Sequence, residues 1–236
     1  MIFDLSNRLS ACVFSVALAF VGSIASATTI NFDVNEYYTS GTNTYTSTDG
    51  SVDVAVDGVR VNRFGTITNT ENYWTSSWDG PGDNGGLGVY DCRWANSCLD
   101  NSQIDGAGPD EFALLDFGDL IVQITSITFS FWDNDDTFAY GVYENTAVPS
   151  TPVVYEDNLG GGANNPYTFA FGEGELVGSI IGFGVDSWND NFRLQNITFD
   201  LVSAVPLPAG GLLILTGLGG LALMRRRRTI TATATA

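Results

Sequence analysis

Carboxylates and carboxamides cluster in three turn-like segments of this 236-residue chain, and such oxygen atoms could hold a cation. One acidic run follows a strong strand pattern, an acid pair precedes a second pattern, and a further acid follows a third. Ca²⁺ binds about six to eight oxygen atoms of this kind. The predicted calcium ligands are Asp133, Asp135, Asp136, Asp110, Glu111 and Asp186. Asp and Asn are also ordinary turn formers, so turns without an ion are the alternative interpretation.

Several aromatic side chains fall in or beside turn-rich regions of the chain: Tyr73, Trp74, Trp78, Tyr90, Trp94, Trp132 and Trp188. The flat face of a sugar stacks on an aromatic ring while neighbouring acids and amides bind its hydroxyl groups, which predicts a carbohydrate surface at Trp74, Trp78 and Trp94. The alternative is that these rings pack over the ends of the fold, because Trp is largely buried on average.

Two absent residue types restrict the chemistry. The chain has nine cationic residues, all of them Arg, and no Lys or His. It therefore has no Ser-His-Asp or Cys-His nucleophile, no Lys Schiff base and no His-ligated zinc. A glycosidase needs only two carboxylates. The candidates for that alternative are Glu71, Glu111, Glu144, Glu156, Glu173 and Glu175. We predict that the protein is not an enzyme, and that without a basic patch in its body it does not bind nucleic acid.

Strand patterns dominate residues 28–204, and these strands must position any site. Alternating segments rich in β-branched and aromatic residues recur between Gly, Asn, Asp and Pro, and no helical period of apolar residues is sustained. About nine to eleven short strands predict an all-β fold, a single β-sandwich that is jelly-roll-like. The first pattern, Thr28–Val34, resembles the last, Phe192–Val202, so we predict that these two strands are neighbours.

The strand pattern is interrupted at two places. Segments 51–57 and 59–64 are predicted as separate strands with Gly58 between them. Between Thr70 and Gly108 the chain is rich in Gly, Asp and Asn, which predicts a long irregular stretch that is functional or flexible. Within it, Leu87–Tyr90 is predicted as a short apolar strand.

Both ends of the chain carry apolar segments. Arg8, an apolar run over residues 11–25 and the exit Ala25-Ser26-Ala27 predict a cleaved signal peptide at residues 1–27. Val205 to Met224 is uncharged for 20 residues, which is long enough for a transmembrane helix. Arg225, Arg226, Arg227 and Arg228 follow this run directly and predict that its C-terminal side is cytoplasmic. The short tail at residues 229–236 has no interpretation.

The C-terminal segment at residues 205–228 resembles the PEP-CTERM sorting signal in its Val-Pro-Leu-Pro-Ala variant. The matching motif is Val205, Pro206, Leu207, Pro208 and Ala209, followed by the apolar run and the Arg cluster. Leu207 stands where the common form has Glu. The resemblance implies a Gram-negative bacterial protein that an exosortase cuts near the Pro motif, after transient anchoring in the inner membrane, and that then reaches the cell surface or extracellular polysaccharide.

Cys92 and Cys98 are the cysteines of the body, because Cys12 lies in the predicted signal peptide. An exported protein meets an oxidising compartment, so we predict a disulfide between them. The loop that it closes is short, and its stabilisation is on the order of 2 kcal/mol. Two free thiols are the alternative.

The predicted body, Thr28 to Ala204, carries 26 acidic residues and four arginines, a net charge near −22 against −18 for the whole chain. Mutual repulsion keeps such a domain soluble and away from polyanions, and divalent cations would relieve it. We predict a structural or adhesive role at the cell surface or in an extracellular matrix. A carbohydrate-binding module supported by calcium is the second hypothesis, and a glycoside-active enzyme is the third.

Overall fold

The computed structural model describes residues 27–34, 42–71, 73–78, 85–92 and 102–202, and within these ranges every regular element is a strand. The strands are β1 (Thr28–Asn31), β2 (Asn43–Thr46), β3 (Asp53–Val61), β4 (Ile67–Asn69), β5 (Tyr73–Trp78), β6 (Gly86–Asp91), β7 (Ile104–Asp105), β8 (Glu111–Asp116), β9 (Val122–Ser130), β10 (Phe138–Tyr143), β11 (Val154–Leu159), β12 (Tyr167–Ala170), β13 (Val177–Gly178), β14 (Ile180–Gly184) and β15 (Asn191–Leu201). This all-β architecture confirms the predicted fold class.

The described strands form two antiparallel sheets, an arrangement consistent with a β-sandwich. The first sheet has the order β12-β9-β15-β6-β5, with β1 and β7 also pairing with β15 and β13 pairing with β9. The second sheet has the order β11-β10-β14-β8-β3-β2, with β4 pairing with β3. The long strand β15 is the centre of the first sheet, because it pairs with β9 along one edge and with β1, β6 and β7 along the other.

One large apolar core takes side chains from both sheets. Phe129 and Ile197 come from the first sheet and Val54, Leu115 and Phe183 from the second, and all five are fully buried. A smaller cluster includes Phe112, Leu114 and Tyr143. Because alternate residues of β8 enter the two clusters, this strand is buried on both faces, which explains its nearly continuous apolar sequence.

The predicted pairing of the first and last strands is confirmed. β1 pairs antiparallel with β15, with Ile30 opposite Ile197 and Thr28 opposite Phe199. The predicted break at Gly58 is wrong, because β3 runs through it. A Cβ atom at Gly58 would lie 3.3 Å from the carbonyl oxygen of Trp74, so glycine at this position allows β3 and β5 to approach closely.

The stretch between Thr70 and Gly108 is more regular than predicted. The short strand predicted at Leu87–Tyr90 is confirmed as part of β6, and β5 and β7 also lie within this stretch. β5 pairs with β6 from Tyr73–Asp91 to Trp78–Gly86. Ser and Thr fill much of β5, so the sequence lacks the apolar alternation by which strands are predicted. Pairing with a neighbour, rather than local pattern, defines this strand.

Several predictions concern residues outside the described part of the chain. The signal peptide, apart from Ala27, the sorting motif at residues 205–209, the apolar run to Met224 with Arg225–Arg228, and the tail at 229–236 all lie there. Within the described residues, the structure contains no helix with the length and hydropathy needed to span a membrane.

Candidate functional site at the acidic end of the sheets

Three acidic loops meet at one end of the two sheets. They are the β7–β8 loop (residues 106–110), the β9–β10 loop (residues 131–137) and the β14–β15 loop (residues 185–190). We call this region the acidic end. Each loop crosses from one sheet to the other, and the pairing within the sheets (β15 with β7 and β9, and β14 with β8 and β10) brings the three crossings to the same end.

Two buried carboxylates connect the β9–β10 and β14–β15 loops. The backbone N–H of Thr137 donates to Oδ1 of Asp190 at 3.1 Å, and the Thr137 hydroxyl donates to Oδ2 at 3.1 Å. In the opposite direction, the backbone N–H of Asn191 donates to Oδ1 of Asp136 at 2.9 Å, and that of Asp133 donates to Oδ2 at 2.6 Å. Both oxygens of each carboxylate therefore accept hydrogen bonds, and each loop is held by an acid of the other.

Burial raises the pKa of both carboxyls. The pKa of Asp136 rises to about 6, chiefly because burial penalises the charged form, with smaller contributions from Asp133 and Asp135. The pKa of Asp190 also rises to about 6, again chiefly through burial, with added repulsion from Asp186 and Asp136. The hydrogen bonds to the carboxylate oxygens oppose this rise and only partly offset it. These two groups therefore change charge at mildly acidic pH.

An aromatic cluster lies where the acidic loops leave the strands. The ring centroid of Phe129 lies 4.8 Å from that of Phe138 and 4.8 Å from that of Phe192. Phe138 is two residues after Asp136, and Phe192 is two residues after Asp190. The two buried carboxyls therefore each lie two residues from a ring of this cluster.

Two further acids extend the acidic end toward β8 and β11. Asp186 accepts from the backbone N–H of Asn158 at 3.2 Å, and its pKa is raised by burial and then by Asp157. The pKa of Asp110 is raised by burial and then by Asp186, while Arg60 acts in the opposite direction. Asp110 and Asp186 therefore lie close enough to repel one another across two loops.

The remaining predicted calcium ligands are engaged differently. Asp135 is exposed, and hydrogen bonds with Asp133 and Asn189 hold its pKa below the ordinary value. The backbone N–H of Asp135 donates to Oδ1 of Asp133 at 3.1 Å. Glu111 is buried and accepts from the backbone N–H of Asp105 at 3.3 Å. All six predicted ligands thus belong to one end of the fold, but their side chains have separate partners.

To bind a metal ion, several ligand side chains must point at one position, and lying in the same region of the fold is not enough. Among the residues that the structure describes, no group of three or more carboxylate, thiol or imidazole side chains is arranged to hold a metal ion. The calcium ligands stay a prediction from the sequence.

Trp188 is the exposed aromatic residue of the acidic end. Its side chain is 80% exposed, although the loop around it is well held. The Ser187 hydroxyl donates to Oδ1 of Asn189 at 2.8 Å, and the Asn189 amide donates to Oδ2 of Asp135 at 3.3 Å. The backbone N–H of Gly106 donates to the carbonyl of Asp190 at 3.2 Å. A braced loop that exposes an indole ring to solvent is a candidate binding surface.

The aromatic residues predicted to bind carbohydrate lie elsewhere. Trp74 is half-buried on β5, Trp78 is the last residue of that strand, and Trp94 lies outside the described residues. Another aromatic residue near a loop, Trp132, is buried: its ring stacks on Tyr167 at 4.5 Å, and its Nε1–H donates to the carbonyl of Gly162 at 3.1 Å. Packing therefore accounts for Trp132.

Cys92 is disulfide-bonded. Its predicted partner, Cys98, lies outside the described residues, so the pairing stays a prediction.

Asp190, Thr137 and Trp188 are not among the predicted calcium ligands or carbohydrate-binding residues, although Trp188 is one of the aromatic residues noted near loops. Asp190 and Trp188 belong to the same Asp-Asn segment as Asp186, so the density of polar residues there was a usable signal. Nothing in the sequence marks Thr137, because its role depends on a carboxylate 53 residues away.

Comparison of the chain with protein-family models, with curated proteins and with solved structures finds no match.

Proposed function

We propose that this protein is an exported, exosortase-sorted component of the cell surface or of an extracellular matrix, with a structural or adhesive role. The observation that carries the proposal is the pairing of β1 with β15, which brings Thr28 opposite Phe199. The first and last described strands thus place both chain ends at one end of the first sheet. Beyond them in sequence lie the signal-like segment and the sorting-like segment.

The acidic end lies at the opposite end of β15. This strand has 11 residues, which corresponds to a length of about 35 Å. A chain anchored through residues 205–224 would therefore hold the acidic end away from the membrane, where it could contact matrix components. The proposal assigns no catalysis to the domain, in keeping with the absence of Lys and His.

We propose a single jelly-roll-like sandwich, supported by chain crossings between the sheets at β8–β9, β9–β10 and β14–β15 and by a core that both sheets share.

Cell fractionation with mass spectrometry of the mature C-terminus tests the sorting step. In cells with exosortase we expect a C-terminus near Ala209 and release from the inner membrane, whereas in cells without it residues 205–236 should remain. Changing Pro206 and Pro208 to Ala should prevent cleavage, whereas Thr231→Ala, beyond the Arg cluster, should not. An intact tail in both kinds of cell would leave a plain single-pass anchor and refute the sorting proposal.

A second candidate function is binding of extracellular polysaccharide, which the exposure of Trp188 favours. The indole offers a flat apolar face, and the carboxylates and amides of Asp186, Asn189 and Asp135 lie in the same loops. Such a combination suits a sugar ring, whose face is apolar and whose edge carries hydroxyl groups.

Pull-down on insoluble polysaccharides tests this candidate. Trp188→Ala should lower the bound fraction without changing the melting temperature, because the side chain is 80% exposed. Phe64→Ala, at an aromatic residue that is 60% exposed elsewhere, serves as the control and should bind normally. Trp74→Ala and Trp78→Ala test the residues predicted from the sequence. Equal binding by the wild type and by Trp188→Ala counts against a sugar surface at the acidic end.

A further inference from the structure

A group of exposed apolar side chains lies at the end of the sheets from which the chain leaves. Of ten large apolar residues exposed in the described part of the chain, five belong to this group. Leu201 is paired with Val122, the backbone N–H of Val202 donates to the carbonyl of Ile121 at 2.9 Å, and Val177 is paired with Gln123. The exit patch consists of Leu120, Ile121, Val177, Leu201 and Val202.

The position of the exit patch in the sequence identifies its partner. Val202 is followed within three residues by Val205, where the uncharged 20-residue run begins. Three residues span at most about 10 Å, and the headgroup layer on each side of a bilayer is about 5–8 Å thick. If the run crosses the membrane as proposed above, Val202 lies no more than about 10 Å from the hydrocarbon boundary, which brings the exit patch to the outer edge of the lipid headgroups.

We infer that the exit patch is a lipid-contacting surface that rests the domain on the outer face of the bilayer before the tail is cut. The inference rests on the proposed membrane anchoring of the tail and adds a second, peripheral contact to it. Burial of apolar side chains at the headgroup boundary stabilises such contacts. The contact fixes the orientation of the domain, with the acidic end pointing away from the membrane.

The exit patch could be covered either by lipid or by a second copy of the chain, and the charges beside it favour lipid. Asp119 lies beside Leu120, and Asp200 beside Leu201. In a symmetric dimer built on this patch, the same carboxylates of two strongly acidic chains would meet, which disfavours association. A zwitterionic lipid surface has no net charge and does not repel them.

Photo-crosslinking in vesicles tests the inference. The chain from Thr28 to Ala236, without the predicted signal peptide, is reconstituted into phosphatidylcholine vesicles. It carries benzoylphenylalanine in place of Ile121 or, as the matched control, in place of the exposed Trp188 at the acidic end. After illumination we expect at least about fivefold more lipid adduct from position 121 than from position 188, because the two lie at opposite ends of a strand of about 35 Å. Position 120 provides a second probe if the variant at 121 does not fold.

Vesicle flotation after carbonate extraction distinguishes membrane anchoring by the C-terminal run from lipid contact by the exit patch. A chain that does not float with the vesicles refutes the anchor and the lipid contact together. A chain that floats but gives equal lipid adducts at positions 121 and 188, or mainly protein–protein adducts at 121, overturns the lipid contact and leaves the anchor standing.

Discussion

At the scale of single residues, the acidic end is defined by two carboxyls that are almost completely buried. Asp136 and Asp190 are each 1% exposed, and each accepts hydrogen bonds on both oxygens. The hydrogen bonds favour the charged form and burial disfavours it. Burial prevails, since both pKa values rise to about 6.

Raised pKa values predict that the fold is more stable at mildly acidic pH. A carboxyl whose folded-state pKa lies above its unfolded value of about 3.9 stabilises the fold fully below that value and loses the contribution as pH rises through about 6. Between pH 7.5 and pH 5 we expect a gain of about 1 kcal/mol in unfolding free energy per carboxyl. Urea unfolding of the wild type at both pH values measures it.

Substitution isolates these two groups from the general loss of negative charge on acidification. Changing Asp136 and Asp190 together to Asn should remove about 2 kcal/mol of the pH-dependent gain. Asp119→Asn, at an exposed carboxylate on the other end of the fold, should retain it. The same pH dependence in both variants would contradict the assignment.

The sequence could indicate this region but not the different roles of its acids. Asp133, Asp135 and Asp136 are neighbours in a single acidic run, yet Asp136 is buried while Asp135 is exposed. The difference arises because Asp136 accepts a hydrogen bond from Asn191, the first residue of β15, which is 55 residues away. Residue type and local spacing carry no information about such a contact.

At the scale of elements, the pairing of β1 with β15 closes the first sheet around its central strand. Ile30 and Ile197 are both fully buried and lie opposite one another. The similarity of their two strand patterns made this pairing predictable, because both strands alternate with large apolar residues toward one core.

Shortening one member of this pair should destabilise the whole fold. We expect Ile30→Ala to lower the unfolding free energy by about 2–5 kcal/mol, the range for removing a buried aliphatic side chain. Val153→Ala, at a residue that is 58% exposed, should change it by less than about 0.5 kcal/mol. Denaturant unfolding compares the two, and similar effects would show that β1 does not belong to the cooperative core.

Glycine at the sheet interfaces illustrates what strand patterns miss. The sequence pattern predicts that a strand ends at Gly58, whereas in the structure β3 continues through this residue and passes close to Trp74 of β5. Likewise, a Cβ atom at Gly88 would lie 1.9 Å from the carbonyl oxygen of Ser102, so the chain crosses directly over β6. In each case the sequence shows only that the residue is glycine. It does not show that a backbone segment from elsewhere in the chain occupies the space that a side chain would need.

At the scale of the whole molecule, the dominant feature is a body with 26 acidic residues and four arginines. Such an excess of one sign keeps chains apart in solution and opposes compaction. It is felt at the acidic end, where repulsion from Asp186 adds to the burial that raises the pKa values of Asp110 and Asp190.

Calcium should stabilise the domain beyond simple screening if the predicted ligands bind it. We expect about 5 mM CaCl₂ to raise the melting temperature more than NaCl of equal ionic strength, because an ion that binds only the folded state adds its binding free energy. Asp186→Asn should reduce the calcium effect, and Asp119→Asn should not. Equal shifts with the two salts, and no heat in isothermal titration, would refute calcium binding.

The sequence by itself determined the all-β class and the strong negative charge of the body, and it indicated through two similar strand patterns that the first and last strands pair. These features follow from local alternation and composition, which a linear chain displays directly. The tertiary structure decided which acids are buried, that Trp188 is exposed while Trp132 is covered, and that the acidic end lies opposite the chain exit. Those properties depend on which loops meet, and only non-local strand pairing sets that.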